Sequence, residues 1–434
     1  MRLELADFPV REVRFSRHTG YDSGILEIEK EEMIRLIMED ARIAAADLEV
    51  AFPGEKTRIV RVRDAVEPRV KVSGRGGVFP GILGPVETVG EGRTHRLSGV
   101  TVMPSAEYHP TIPTGTGGQR SGLVDMWGPG AKMSRFGSMI NIVLVFKLID
   151  GVTELEAHTA IQSAELRVAQ RLAETTREKT AEKVEVFELF KTDPSLPRVV
   201  YILGVVTEVA APHSSHAYYG MPIRESLSTL IHPNELLDGA LTTDARRGAA
   251  SQPTTWEYMN HPVVFGLLRR HGKDLNFLGV ILQKTRFEAE WCKRVGAECA
   301  SQMARILEAD GAIITRVVPS GNNFVDVMLT VQACEKKGVK VVLLTPEWGG
   351  REGTETPLVF YVPEATAMVT TGSKERETFL PAPEKVIGVR EGESVELYAG
   401  EPFSPWREGV PPAFSLIGGG VDWLGGMHRT CKQY

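Results

Sequence analysis

The chain has 434 residues, 42% hydrophobic and 24% charged, with a formal net charge of −6. That is room and composition for two or three ordinary folded domains, and it excludes disordered and low-complexity classes. The mild acidic balance leaves no basic footprint for nucleic acid or an anionic membrane, and no window nears the roughly eighteen consecutive apolar residues of a membrane span.

In chain order, Met1-Arg2-Leu3-Glu4-Leu5-Ala6-Asp7 alternates and lacks the plan of a signal peptide. Leu26-Glu27-Ile28-Glu29 and Arg58-Ile59-Val60-Arg61-Val62-Arg63 read as strands, with a helix expected over 31–45 between them. Gly and Pro punctuate 74–92 and 110–130, which predicts long ordered loops. A buried strand is expected over 141–148. A helix over 152–178 follows, with Leu155, Ile161, Ala164, Val168 and Leu172 on one stripe. A strand over 199–209 carries Glu208 near its end.

From Asn276 the pattern becomes strand–helix–strand. An apolar strand over 277–282 precedes a helix in which Trp291, Val295, Cys299, Met303 and Ile306 are spaced for one buried face. A strand over 312–314, a helix over 325–336 and a strand over 341–344 complete it. Short apolar strands alternating with amphipathic helices predict a doubly wound, Rossmann-like parallel sheet. The fold class is therefore α/β, with a strand-rich α/β domain over 1–260 and the doubly wound domain over 261–434. Cys292, Cys299, Cys334 and Cys431 show no CxxC spacing, so reduced thiols and a cytoplasmic protein are expected.

Candidate chemistry is scattered. His213 and His216 stand three apart beyond the strand carrying Glu208. The three together suit a divalent metal such as zinc, with water as fourth ligand, able to polarise an amide carbonyl and supply hydroxide. The alternative is a loop whose histidines bond to backbone. Arg93 suits a carboxylate clamp or a surface ion pair, and His95 a general base, a substrate anchor or a structural histidine. In a parallel sheet ligands bind beyond the carboxyl ends of the strands, where Asn322, Glu347 and Arg351 lie. Neither loop there matches GxGxxG or a P-loop, so no nucleotide site is expected. Asp125 either caps a turn or positions a ligand.

The segment Asp238-Gly239-Ala240-Leu241-Thr242-Thr243-Asp244-Ala245-Arg246-Arg247-Gly248-Ala249-Ala250-Ser251-Gln252-Pro253-Thr254 resembles the self-processing region of the pyruvoyl subunit of glycine/sarcosine/betaine reductase component B. Further blocks match in the same order: Glu67-Pro68-Arg69-Val70-Lys71-Val72, Gly76-Gly77-Val78-Phe79-Pro80-Gly81, Gly92-Arg93-Thr94-His95, Gly122-Leu123-Val124-Asp125-Met126 and Arg270-His271-Gly272-Lys273. The resemblance implies a segment over 238–256 in which an Asn-Cys pair, with a second Cys four residues on, is cleaved before the first Cys to leave a pyruvoyl group. The matching positions here are Arg246 and Ala250, which cannot attack the preceding carbonyl, while Ser251 is displaced from both cysteine positions. No pyruvoyl group is therefore expected. The resemblance also implies a second, thiol- or selenol-bearing subunit, a hetero-oligomer, and a small amino acid or N-alkylated or cyclic amine as substrate for reductive C–N cleavage. Two other functions remain on the same scaffold. One is a metal-dependent amide or lactam hydrolase subunit using Glu208, His213 and His216, and the other is a non-catalytic structural partner.

Overall fold

The computed structural model describes residues 1–107, 122–207, 216–223, 226–243, 252–286, 290–317, 321–350, 354–373, 378–398, 401–410 and 417–427. The architecture is α/β, with mixed sheets in the first part of the chain and a mainly parallel sheet in the second.

In the first part a four-stranded sheet runs Lys183–Glu188, Arg2–Pro9, Gly92–Ser98, Arg69–Ser73. Beside it a six-stranded sheet runs Gly122–Asp125, Thr57–Val62, Val100–Glu107, Ile140–Leu148, Ile43–Ala51, and the distant strand Lys385–Ile387 adds to Thr57–Val62. The helix Glu154–Glu174 packs against Arg69–Ser73 and Val100–Glu107. Thr153 opens it with a capping box, its hydroxyl accepting from Glu156 N–H while Glu156 accepts from Thr153 N–H. Ile161, Ala164, Val168 and Leu172 are fully buried as their spacing predicts, but Leu155 is exposed.

One expected helix is cut short. It runs only Lys30–Ile37, and residues 43–45, expected at its end, open the strand Ile43–Ala51. The carboxylate of Asp40 holds both the backbone N–H and the guanidinium of Arg42, which turns the chain. The alanines that follow pair antiparallel with Ile140–Leu148, so sheet pairing overrides their helix propensity.

The parallel sheet has the order Thr229–Ile231, Asn276–Arg286, Arg198–Thr207, Gly311–Arg316, Lys340–Glu347, Met368–Ser373, with Thr229–Ile231 the antiparallel edge. Strands on both sides of residue 260 therefore contribute to it. Val200, Ile202, Ile281, Ile314, Val341 and Leu343 pack with Phe324, Val327 and Val331 of the helix Gly321–Lys336. Their neighbours Tyr201, Leu203, Val280, Leu282 and Leu344 pack instead with Val264 and Leu268 of the helix Pro262–Arg270. Because both faces are covered, the strands read as unbroken apolar runs in the sequence.

The helix Glu290–Ile306 corrects another expectation. Trp291, Val295 and Ile306, expected on its buried face, are 76%, 46% and 71% exposed, and Cys299 and Met303 are only partly buried. The buried face consists of Lys293, Ala297, Ala300, Ser301 and Ala304. Lys293 is there because its ammonium meets the buried carboxylate of Asp326 at 2.5 Å, and the small residues let two helices approach closely. Among the described residues no helix is long and apolar enough to cross a membrane, and Cys292, Cys299 and Cys334 are unbridged.

Candidate active site

Three of the matched blocks, far apart in sequence, meet around the start of the segment 238–256. The buried carboxylate of Asp238 accepts from Lys71 Nζ, from Gly90 N–H at 2.8 Å and from Thr94 Oγ1 at 2.6 Å. Gly239 has φ +76°, and a Cβ there would come within 2.6 Å of the buried Phe79 ring, so the turn needs glycine. Arg69, fully buried and paired with Glu67 at 2.6 Å, donates to the carbonyls of Leu237 and Met259 and to Asn260 Oδ1. One guanidinium thus ties down the chain on both sides of the segment.

Inside this clamp the described residues on either side of 244–251 are pinned together. The strand Leu241–Thr243 pairs antiparallel with His216–Tyr218, setting Thr243 opposite His216. Thr243 N–H donates to Thr255 Oγ1 at 3.0 Å, and Thr243 Oγ1 donates to Pro253 O at 2.5 Å. Gln162 Nε2 donates to Thr243 O at 2.9 Å. Thr254 caps the helix Thr255–Met259 through a capping box with Glu257.

Below this neck lies a buried group of acids. Asp64 accepts from Thr255 Oγ1 at 2.5 Å, from Thr255 N–H at 2.8 Å and from Ala65 N–H at 2.8 Å. Burial pushes its carboxyl up to about 7, the bonds from Thr255 and Ala65 pull it down, and the nearby Glu257 adds to the rise. Glu165, one turn beyond Gln162, is raised well above the carboxylate range, first by burial and then by Asp64. Glu257 is raised by burial, offset by Arg135 at 3.4 Å. The Tyr258 hydroxyl is raised by burial and by Glu257, Tyr201 and Asp64, and its ring meets His216 edge-on at 5.5 Å. Tyr201 reaches the same region, with its hydroxyl 2.8 Å from His261 Nε2. A carboxyl titrating near 7 is suited to holding or passing a proton at physiological pH.

Among the described residues Glu165 Oε1, Glu257 Oε1 and Tyr258 Oη lack hydrogen-bond partners, although these residues are only 1%, 1% and 0% exposed. Each such atom costs about 1–3 kcal/mol unless something satisfies it.

The residues expected from sequence fall in several places. His216 lies in the cluster, fully buried. Glu208, His213, Arg246, Ala250 and Arg351 lie outside the described residues. Among the described residues, no three His, Cys, Asp or Glu side chains are grouped to hold a metal. Arg93 is largely exposed and pairs with Glu4 at 2.6 Å. His95 is buried against Phe8, with Nδ1 3.1 Å from Thr176 O, and burial lowers its pKa so that it stays neutral. Strand alternation explains both placements, because Thr94, between them, is the residue turned to Asp238. Both oxygens of Asp125 are taken by the buried Arg58, at 2.7 and 2.9 Å, so it serves a structural ion pair. Glu347 ends its strand, half-buried, away from these contacts. Sequence reasoning missed Asp64, Glu165 and Tyr258. Only Glu165 left a signal, an acid set four residues after Ile161 and beside Ala164 on a helix face that is otherwise apolar.

Residues 1–408 match the family model for glycine/sarcosine/betaine reductase component B subunits. The glycine reductase complex component B subunits alpha and beta of Acetoanaerobium sticklandii are 34% identical over 443 residues, covering 100% of both chains. The sarcosine reductase complex component B subunit alpha of Peptoclostridium acidaminophilum is 34% identical over 90% of each chain. The betaine reductase complex component B subunit alpha of the same organism is 33% identical over 89% of this chain and 88% of its own. No solved structure matches.

Proposed function

We infer that this chain, which belongs to the glycine/sarcosine/betaine reductase component B family, is the substrate-holding subunit of a multi-subunit enzyme acting on a small amino acid or amine derivative, and that it works without a pyruvoyl group of its own. The observation that carries the reading is a contrast. Asp238, Gly239, Arg69 and Thr255 hold both sides of the segment firmly, while the positions that match the processing cysteines are Arg246 and Ala250. Forming a pyruvoyl group requires a hydroxyl or thiol that attacks the preceding carbonyl and then eliminates. Neither side chain can do this, so the residues present do not fit that group.

The relatives' names describe subunits of component B complexes, which supports a partner subunit. The exposed apolar face formed by Trp291, Val295 and Ile306 supports it too. The names also refer to glycine, sarcosine and betaine, all carrying a carboxylate beside a positively charged nitrogen, and a buried group of acids suits the nitrogen end. The intact mass of the purified chain tests the reading. One polypeptide of 47.7 kDa is expected. Two fragments divided within 244–251 would overturn it.

A further inference from the structure

On the face of the parallel sheet covered by the helix Gly321–Lys336, the side chains change character toward the carboxyl ends of the strands. Ile281, Ile202, Ile314 and Leu343 are aligned in register, all aliphatic and all buried. Two residues further along each strand, and so on the same face, stand Gln283, Gly204, Arg316 and Thr345. The first three are aligned in register, and Arg316 Nε donates to Thr345 Oγ1 at 3.1 Å. The helix changes with the sheet: Val327 and Val331 pack in the aliphatic cluster, whereas Asn323 stands in the first turn. Arg316 is fully buried, with the rings of Phe324 and Trp348 centred 4.6 and 4.5 Å from its guanidinium carbon. The contact with Phe324 sets this guanidinium against the turn that carries Asn323. Burial lowers its pKa to about 9, which leaves it charged at pH 7.

Two further observations point to a ligand here. Asn323 is 1% exposed, yet neither its Oδ1 nor its Nδ2 has a hydrogen-bond partner among the described residues, and Gln283 Oε1 shares that condition. Each such atom costs about 1–3 kcal/mol unless something matches it. The place is also a topological switch point. From Arg198–Thr207 the chain reaches Asn276–Arg286 through Pro262–Arg270 on one face, while from the adjacent Gly311–Arg316 it reaches Lys340–Glu347 through Gly321–Lys336 on the other. Connections that part in this way open a crevice at the strand ends, where parallel sheets bind their ligands. We propose that this end of the sheet binds the zwitterion of a small amino acid, its carboxylate held by Arg316 and Asn323 Nδ2 and its ammonium by Asn323 Oδ1. A guanidinium fits a carboxylate, and an amide with both atoms unmatched fits a ligand that carries acceptor and donor on neighbouring carbons. The inference goes beyond the reading of the neck, because the site lies on the opposite face of Arg198–Thr207 from Tyr201.

The test is calorimetric titration of the full-length chain with glycine, sodium acetate and glycinamide at pH 7 and constant ionic strength. Glycine should bind with a Kd of about 1 mM or tighter, and acetate and glycinamide, each lacking one of the two charged groups, at least about tenfold more weakly. Arg316→Lys keeps the charge but loses the planar fork, and Asn323→Leu removes both amide atoms; each should weaken glycine about tenfold. Without glycine, the Asn323→Leu chain should melt no lower than wild type, since it buries no unmatched amide. A lower Tm would show that the amide is already matched within the fold, and would overturn the proposal. Acetate or glycinamide binding as tightly as glycine overturns it too, as does the absence of glycine binding. Glycine binding unchanged by both substitutions places the ligand elsewhere, which overturns this site and leaves the neck reading standing. The three ligands on the unmodified chain decide the matter even if a variant fails to fold, and the intact mass still decides the earlier reading.

Discussion

Replacing Thr255 by Val should loosen the neck with almost no change of shape. The hydroxyl removed accepts from Thr243 N–H at 3.0 Å and donates to Asp64 at 2.5 Å. Thr243 is fully buried, so its N–H loses its partner where water cannot replace it, at about 1–3 kcal/mol, and the lost bond to Asp64 adds about 1 kcal/mol. The sum is about 2–4 kcal/mol. With about 2.1 cal/mol/K of unfolding entropy per residue, a chain of 434 residues has about 0.9 kcal/mol/K in all, so Tm should fall by about 2–4 °C. Thr255→Ser keeps the hydroxyl and loses one buried methyl, about 1 kcal/mol or about 1 °C. Scanning calorimetry of the three proteins at pH 7 reads these shifts. If the Val variant melts within 1 °C of wild type, or the Ser variant melts as low as the Val variant, the neck does not depend on this hydroxyl.

Two further substitutions test the clamp and the acids. Asp64 rises from the ordinary 3.8 to about 7 in the fold, so between those values the folded chain holds a proton that the unfolded chain has released, and stability falls as pH rises through that window. Asp64→Asn removes this contribution, and its Tm should decline less than that of wild type between pH 5 and pH 8; parallel curves would contradict the assignment. Gly239→Ala puts a methyl group 2.6 Å from the Phe79 ring at φ +76°, costing about 2–5 kcal/mol from backbone strain and overpacking together. Calorimetry should show a loss of at least 2 °C, and an unchanged Tm would mean that the turn relaxes freely.

The strand–helix alternation after Asn276 was legible because strands covered on both faces leave unbroken apolar runs, as in Phe277-Leu278-Gly279-Val280-Ile281-Leu282. The inward face of Glu290–Ile306 was not. Alanines, a serine and an ion-paired lysine do its packing, and a reading by side-chain hydrophobicity selects Trp291 and Ile306 instead. The clamp was legible only as a string of matched blocks. That Lys71, Thr94 and Asp238 meet is a consequence of sheet pairing, which no local pattern encodes. Strand parity also decided which member of Arg93-Thr94-His95 reached the site, and the short polar Thr94 was the one passed over. Asp64 and Glu165 lie a hundred positions apart and become a pair only when the helix Glu154–Glu174 is laid across the sheets.

The place of Arg198–Thr207 between Asn276–Arg286 and Gly311–Arg316 has a consequence for biosynthesis. A strand emerging from the ribosome at residue 207 finds its first lateral neighbour only once Asn276–Arg286 has been made, and its second only with Gly311–Arg316. The strand Thr57–Val62 waits longer still for Lys385–Ile387. Such non-local pairing raises the contact order and slows folding, and it keeps apolar strand edges uncovered while synthesis continues, when chaperones and rapid completion of the chain matter most.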